Sequence, residues 1–182
     1  MSSLGQLEDW AANNIPHFVG VFMSDELEQV PLRPNAPLQS MIFNYDPSTK
    51  PGSHWVGVRF VHGSDGKRTA EWFDSYGTRP DGDDQVLHDT THFMRWLTTK
   101  AATVKRSLYD LQALETTVCG HYSLWFCKNG EPLISTPSWR PFFEITPVPT
   151  FGAVNTKLLH QTPAQKDAAR KRDSLIAKLV RL

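Results

Sequence analysis

The chain has 182 residues, 40% hydrophobic and 21% charged, and its 19 basic side chains balance 19 acidic ones. That size and composition describe one folded domain, residues 1–182, with its own core rather than a disordered chain. Zero formal net charge gives no global electrostatic signal for nucleic acid or an acidic substrate, and no apolar stretch reaches the roughly 20 residues of a membrane span.

The start, Met1 to Asp9, lacks the basic and apolar regions of a secretory signal. Residues 4–12 predict a short amphipathic helix through Leu4, Leu7 and Trp10. A compact apolar segment, Pro16 to Phe22, precedes a loop marked by Pro31, Pro34 and Pro37. Met41 to Tyr45 reads as a strand stopped by Asp46-Pro47. Residues 54–62 and 68–74 read as two antiparallel strands joined through Gly63-Ser64-Asp65-Gly66. A polar loop over 78–84 leads to a helix from about 84 to 99, with Val86, Phe93, Met94 and Leu97 inward. Residues 102–108 lean to strand, and 119–128 to a helix stopped by Asn129-Gly130. Residues 131–163 look irregular. Residues 164–182 predict a last helix with Leu175, Ile176, Leu179 and Val180 on one side. The order predicts an α+β fold.

The chemistry centres on Cys119, which opens its helix and is followed by Gly120 and an apolar run, Tyr122, Leu124, Trp125 and Phe126. A helix N-terminus presents N–H groups and a partial positive charge, which favour thiolate. Gln112, seven residues upstream, is an amide donor suited to a developing oxyanion. His54 stands at a strand entrance, where it is expected to be exposed as a base, and Asp74 closes the partner strand of its hairpin. Glu71 is the rival carboxylate, but alternation puts it on the opposite face. His54, Asp74, Gln112 and Cys119 are therefore expected around one cleft mouth as base, orienter, oxyanion donor and nucleophile.

Cys127 lies deeper on the same helix and reads as core. Eight residues of helix separate the two cysteines by about 12 Å, too far for a disulfide, and two free thiols suit a reducing compartment. His88 and His92, with Asp84 and Asp89 near, have the spacing of a zinc pair. They lack the Glu of an H-E-x-x-H motif and a third ligand, and Cys119, His121 and Cys127 lack paired C-x-x-C spacing, so no metal site is expected. Lys166, Arg170, Lys171, Arg172, Lys178 and Arg181 read as a solvated helix face, with DNA contact as the minority reading.

From residue 16 to 128 the chain resembles the adenovirus endopeptidase (adenain) family of cysteine proteases, related to the SUMO-specific proteases. The resemblance lies in Pro16-His17-Phe18-Val19-Gly20, in Gly52-Ser53-His54-Trp55, in Trp72-Phe73-Asp74-Ser75-Tyr76-Gly77, and in Gln112 placed seven residues before Cys119-Gly120. It implies a papain-like core with a mixed central sheet, the cysteine at a helix N-terminus, and a circularly rearranged order, His before Cys. It further implies cleavage of virion precursor proteins at Gly-containing sites, in the virion and host nucleus, by a monomer with polypeptide substrates and no membrane partner. The family's activating peptide is held by a disulfide, but Ala101 and its neighbours offer no cysteine there, and the His-to-Asp interval is slightly longer. No cofactor is required. The activator expected is DNA, through the C-terminal basic helix, or a viral peptide bound without a disulfide, in a relative from another DNA-virus lineage. The alternatives are a SUMO- or ubiquitin-like deconjugase and a non-catalytic DNA-binding or structural virion protein.

Overall fold

The computed structural model describes residues 1–78, 91–150 and 162–182. Its spine is a five-stranded mixed sheet in the order β1 (Phe18–Phe22), β2 (Leu38–Asn44), β3 (Trp55–His62), β4 (Arg68–Phe73) and β5 (Thr103–Arg106). The central pairs β2–β3 and β3–β4 are antiparallel, and the outer pairs β1–β2 and β4–β5 are parallel. The helices are α1 (Leu4–Asn14), α2 (Thr91–Lys100), α3 (Cys119–Asn129), α4 (Arg140–Phe143) and α5 (Pro163–Leu179). This is the α+β class expected, with the cysteine opening a central helix. Among the described residues no helix is long and apolar enough to cross a membrane.

Alternation divides the strands between two cores. On one face Trp55 and Phe73 join Leu7 and Ala11 of α1, Tyr122, Leu124 and Phe126 of α3, and Ile176 and Val180 at the C-terminus. On the other, Val56, Val58, Phe60 and Trp72 meet Phe93, Trp96 and Leu97 of α2. Helix α3 approaches β3 so closely that a Cβ on Gly57 would stand 2.7 Å from the Phe126 ring. Phe126 stacks on Phe73 with ring centres 5.0 Å apart, so a bare backbone at position 57 sets the depth at which Cys119 sits.

Several sequence expectations need correction. The 18–22 segment is an edge strand rather than an unassigned apolar stretch. In α1 the buried residues are Leu7 and Ala11, while Leu4 is 37% exposed. Trp96 is buried on α2, whereas Met94 is only half-buried. Val86 and the predicted start of that helix lie outside the described residues. The inward face of α5 is Ala168, Ala169, Arg172, Asp173 and Ile176, and Leu179 is 40% exposed. The helix ends at Leu179, and extended backbone at Val180 carries that side chain back into the core. Arg172 leaves the solvated basic face entirely: it is fully buried and donates to the carbonyls of Leu111, Ile145 and Pro147.

Candidate active site

The β3–β4 hairpin is in register from His62↔Arg68 to Gly57↔Phe73. His54 precedes the first strand by one residue and Asp74 follows the second, so both stand at the open end. His54 Nε2 lies 2.7 Å from Asp74 Oδ1. The same oxygen accepts the Tyr76 N–H at 2.8 Å, which folds the chain back just after β4. Asp74 Oδ2 accepts the Tyr45 hydroxyl. Asp74 is fully buried, and these donors replace the water it has lost. Glu71 faces away, as alternation requires, and pairs with Arg59 at 3.1 Å.

Two tyrosines hold the imidazole. Tyr76 stacks on it with ring centres 4.6 Å apart and 11° between planes. Tyr45 packs against it at 5.3 Å. With Nε2 committed to Asp74, Nδ1 is left for the thiol, and the charges of His54 and Cys119 favour each other. The Trp55 N–H points at Cys119 Sγ from 3.5 Å.

The electrostatics follow from this chain of contacts. Burial works against charge on His54, but the negative charges of Asp74 and Cys119 outweigh it and raise the imidazole to about 10. Burial likewise favours the neutral thiol of Cys119, and the facing imidazolium overcomes it, holding the thiol below its ordinary value. Asp74 is lowered for the same reason: burial opposes its charge, while His54 and then Tyr45 reverse that effect. Both shifts favour a thiolate–imidazolium pair. Cys127 has no such partner, and burial pushes its thiol up to about 12. Both thiols are free, as expected.

Gln112 is fully buried and ties the two halves together. The Ser75 carbonyl accepts the N–H groups of Leu111 and Gln112, at 2.8 and 3.1 Å. The Ser75 hydroxyl donates to Gln112 Oε1 at 2.6 Å. Gln112 Nε2 donates to the Thr116 carbonyl at 2.9 Å and reaches Thr116 Oγ1 at 3.4 Å. The amide thus faces the loop that leads into Cys119 rather than standing open. At the start of α3 no side chain caps the helix through Val118, so the first-turn N–H groups keep the donor capacity an anion would use.

The expected open mouth is not what the structure holds. Cys119 is 2% exposed and His54 4%. The N-terminal residues pack beside them. The Ser2 carbonyl accepts the Trp55 indole N–H at 3.0 Å, and Ser2 Cβ lies 3.4 Å from where a Cβ on Gly120 would stand. The Met1 methyl takes a similar place 3.1 Å from a Cβ built on Gly52. Sequence reasoning missed this cover, as it missed the hydroxyl of Tyr45; the only local hint of the latter was a tyrosine at the end of an apolar strand. Among the described residues no group of three His, Cys, Asp or Glu side chains could hold a metal. Of the zinc pair considered, His92 lies on α2, while His88, Asp84 and Asp89 fall outside the described residues.

No family model matches the sequence, and no curated protein matches it. Among solved structures it is similar to the ASFV pS273R protease at 16% identity and a TM-score of 0.44, over 94% of this chain and 64% of that one. The chain thus spans less than two thirds of that protease. It is also similar to the central domain of Lpg1148 from Legionella pneumophila, at 14% identity and a TM-score of 0.35 over 87% and 88% of the two chains. A third similarity is to the Legionella pneumophila effector RavZ, at 14% and 0.32 over 75% and 39%.

Proposed function

We propose that the chain is a cysteine endopeptidase acting on polypeptides, with Cys119 as nucleophile, His54 as base and acid, Asp74 as orienter, and Gln112 with the Cys119 N–H as oxyanion donors. The observation that carries the reading is the 2.7 Å contact of His54 with Asp74, with the thiol of Cys119 held below its ordinary value by the same imidazole. The thiolate attacks the scissile carbonyl carbon, and the oxygen that gains the electron pair is met by the helix N-terminus and by Gln112. The 3.4 Å contact from Nε2 to Thr116 Oγ1 is weak by hydrogen-bond standards, and an oxyanion displaces it. The His54 imidazolium gives its proton to the leaving amine. A water molecule deprotonated by His54 then attacks the thioester, releasing the acid and restoring the thiolate.

The substrate class is virion precursor proteins cut at Gly-containing sites, in virion and host nucleus. Ser2 leaves Trp55 when substrate enters. Lys166, Arg170, Lys171, Lys178 and Arg181 are exposed along and just beyond α5, and this strip is the DNA-binding face in the proposal, with any activating peptide bound without a disulfide. The test is cleavage of a Gly-containing peptide library and of a SUMO conjugate, with and without duplex DNA. Peptide cleavage that vanishes in Cys119→Ala supports the reading. Deconjugation alone reassigns the substrate, and no cleavage of either removes the activity.

A further inference from the structure

Helix α5 lies outside the residues that carry the chemistry, yet two adjacent side chains on it reach the chain on either side of Gln112, Arg172 at Leu111 and Asp173 at Ala113 and Thr116. Asp173 is 5% exposed. Its Oδ2 accepts the Ala113 N–H at 3.0 Å and the Thr116 hydroxyl at 2.6 Å. Its Oδ1 accepts the Tyr122 hydroxyl of α3 at 2.9 Å. Arg172, fully buried, donates Nε to the Leu111 carbonyl at 2.9 Å and Nη1 to the carbonyls of Ile145 and Pro147 at 2.8 and 3.0 Å. A cation therefore gathers carbonyls on one side of Gln112, and an anion gathers donors on the other.

Asp173 touches Ala113, the residue after Gln112, and Thr116, the residue that receives the Gln112 amide. It also touches Tyr122 in the first turn of α3, three residues after the nucleophile. Burying a carboxylate costs free energy unless donors surround it, and here all three donors come from the oxyanion loop or the nucleophile's helix. Burial raises this carboxyl to about 6, against the pull of its donors and of Arg172. A surface aspartate would avoid that cost, so the site holds Asp173 for the geometry it imposes.

We infer that Asp173 is a positioning residue: it fixes the Ala113–Thr116 turn against α3, and so sets the distance between the Gln112 amide and the Cys119 N–H. The inference rests on the peptidase reading. Carboxylate-to-amide exchange preserves the clamp, because the Asn carbonyl can accept from Ala113 and Thr116 while its NH2 donates to the Tyr122 oxygen. Asp173→Leu, of similar size, accepts nothing.

The experiment measures kcat and KM of the full chain on a cleaved peptide, together with amide exchange at Ala113 and the rate of Cys119 alkylation by iodoacetamide. Asp173→Leu is expected to lower kcat about 10–100-fold, less than the 10²–10³-fold for losing an oxyanion donor outright. KM and the alkylation profile stay within twofold, and exchange at Ala113 speeds up at least tenfold. Asp173→Asn stays within threefold of wild type in kcat. Thr116→Val, which removes one donor and leaves the carboxylate in place, gives a smaller fall of the same kind if the leucine variant does not fold. Wild-type kcat in both Asp173→Leu and Thr116→Val sinks the inference alone. Equal losses in Asp173→Leu and Asp173→Asn, or a loss shared by KM and alkylation, overturn it in favour of a charge effect or general damage. A wild type that alkylates at Cys119 but cleaves nothing sinks the peptidase reading and this inference with it.

Discussion

His54 and Asp74 are twenty residues apart in the chain and 2.7 Å apart in the fold, because a hairpin with its turn at residues 63–67 returns the chain to the level at which it set out. The contact fixes which imidazole nitrogen faces the sulfur. Asp74→Asn keeps the shape and removes the negative charge that stabilises the imidazolium, even with the amide oxygen in the place of Oδ1. The expected loss in kcat is about 10⁴-fold, the size known for such a swap in a catalytic triad, and the Cys119 thiol moves back up towards its ordinary value. Activity within tenfold of wild type removes Asp74 from the site.

The two cysteines give a readout that needs no substrate. Cys119 is held below its ordinary value by His54, and Cys127 is pushed up to about 12 by burial. A depressed thiol stays reactive as pH falls until its own pKa is crossed, so iodoacetamide at pH 7 is expected to label Cys119 at least 100-fold faster than Cys127. In His54→Ala the advantage collapses, since burial and the charge of Asp74 then raise the thiol against the Trp55 N–H alone. Peptide mapping after timed quenching decides it, and equal labelling of the two cysteines in wild type shows that the ion pair does not form.

Tyr45→Phe isolates the hydroxyl that meets Asp74 Oδ2. The ring, which packs against His54 and Trp72, is kept. Removing one donor from a fully buried carboxylate costs about 1–3 kcal/mol. Asp74 then holds its charge less firmly and stabilises imidazolium less, so the alkylation midpoint of Cys119 shifts upward and kcat falls about tenfold. A midpoint that does not move shows that Tyr76 and His54 alone suffice.

Gln112→Ala tests a residue with two duties. As an oxyanion donor its loss is worth about 10²–10³-fold in kcat with little change in KM. As the link between Ser75 and Thr116 its loss strands a hydroxyl and a carbonyl, at about 1–3 kcal/mol. Rates taken well below the variant's Tm separate the two duties. A lower Tm with wild-type kcat leaves Gln112 a structural residue.

The sequence was most readable where chemistry coincides with an element's end. His54, Asp74 and Cys119 each stand at the boundary of a strand or helix marked by Gly, Pro or an apolar run, and the fold puts His54 on Asp74 and the Trp55 N–H next to it on Cys119. What stayed hidden depends on contacts between distant segments. Arg172 sits among exposed lysines and arginines, and nothing in that local pattern shows that three carbonyls of the 111–147 region await it. Tyr45 gives no local sign that its hydroxyl reaches a carboxylate 29 residues away. Ser2 does not announce that its carbonyl will hold Trp55.

The far end of α3 offers a control for all of these. Gly130 caps the helix with φ +82° and ψ −162°, donating its N–H to the Phe126 carbonyl at 2.7 Å. That backbone region is costly for any other residue, about 1–3 kcal/mol. A Cβ there would also stand 2.2 Å from Arg59 Nη1 and push the guanidinium off Glu71. Gly130→Ala is therefore expected to lower Tm by several degrees, at roughly 2–4 °C per kcal/mol for a chain of this size. Cys119 lies at the opposite end of an eleven-residue helix, about 16 Å away at 1.5 Å per residue, so its alkylation at 20 °C should match wild type. Thermal melts and timed labelling check both halves. An unchanged Tm shows that the cap and Arg59 relax without cost, and slowed labelling shows that strain at the cap travels the length of α3 to the sulfur.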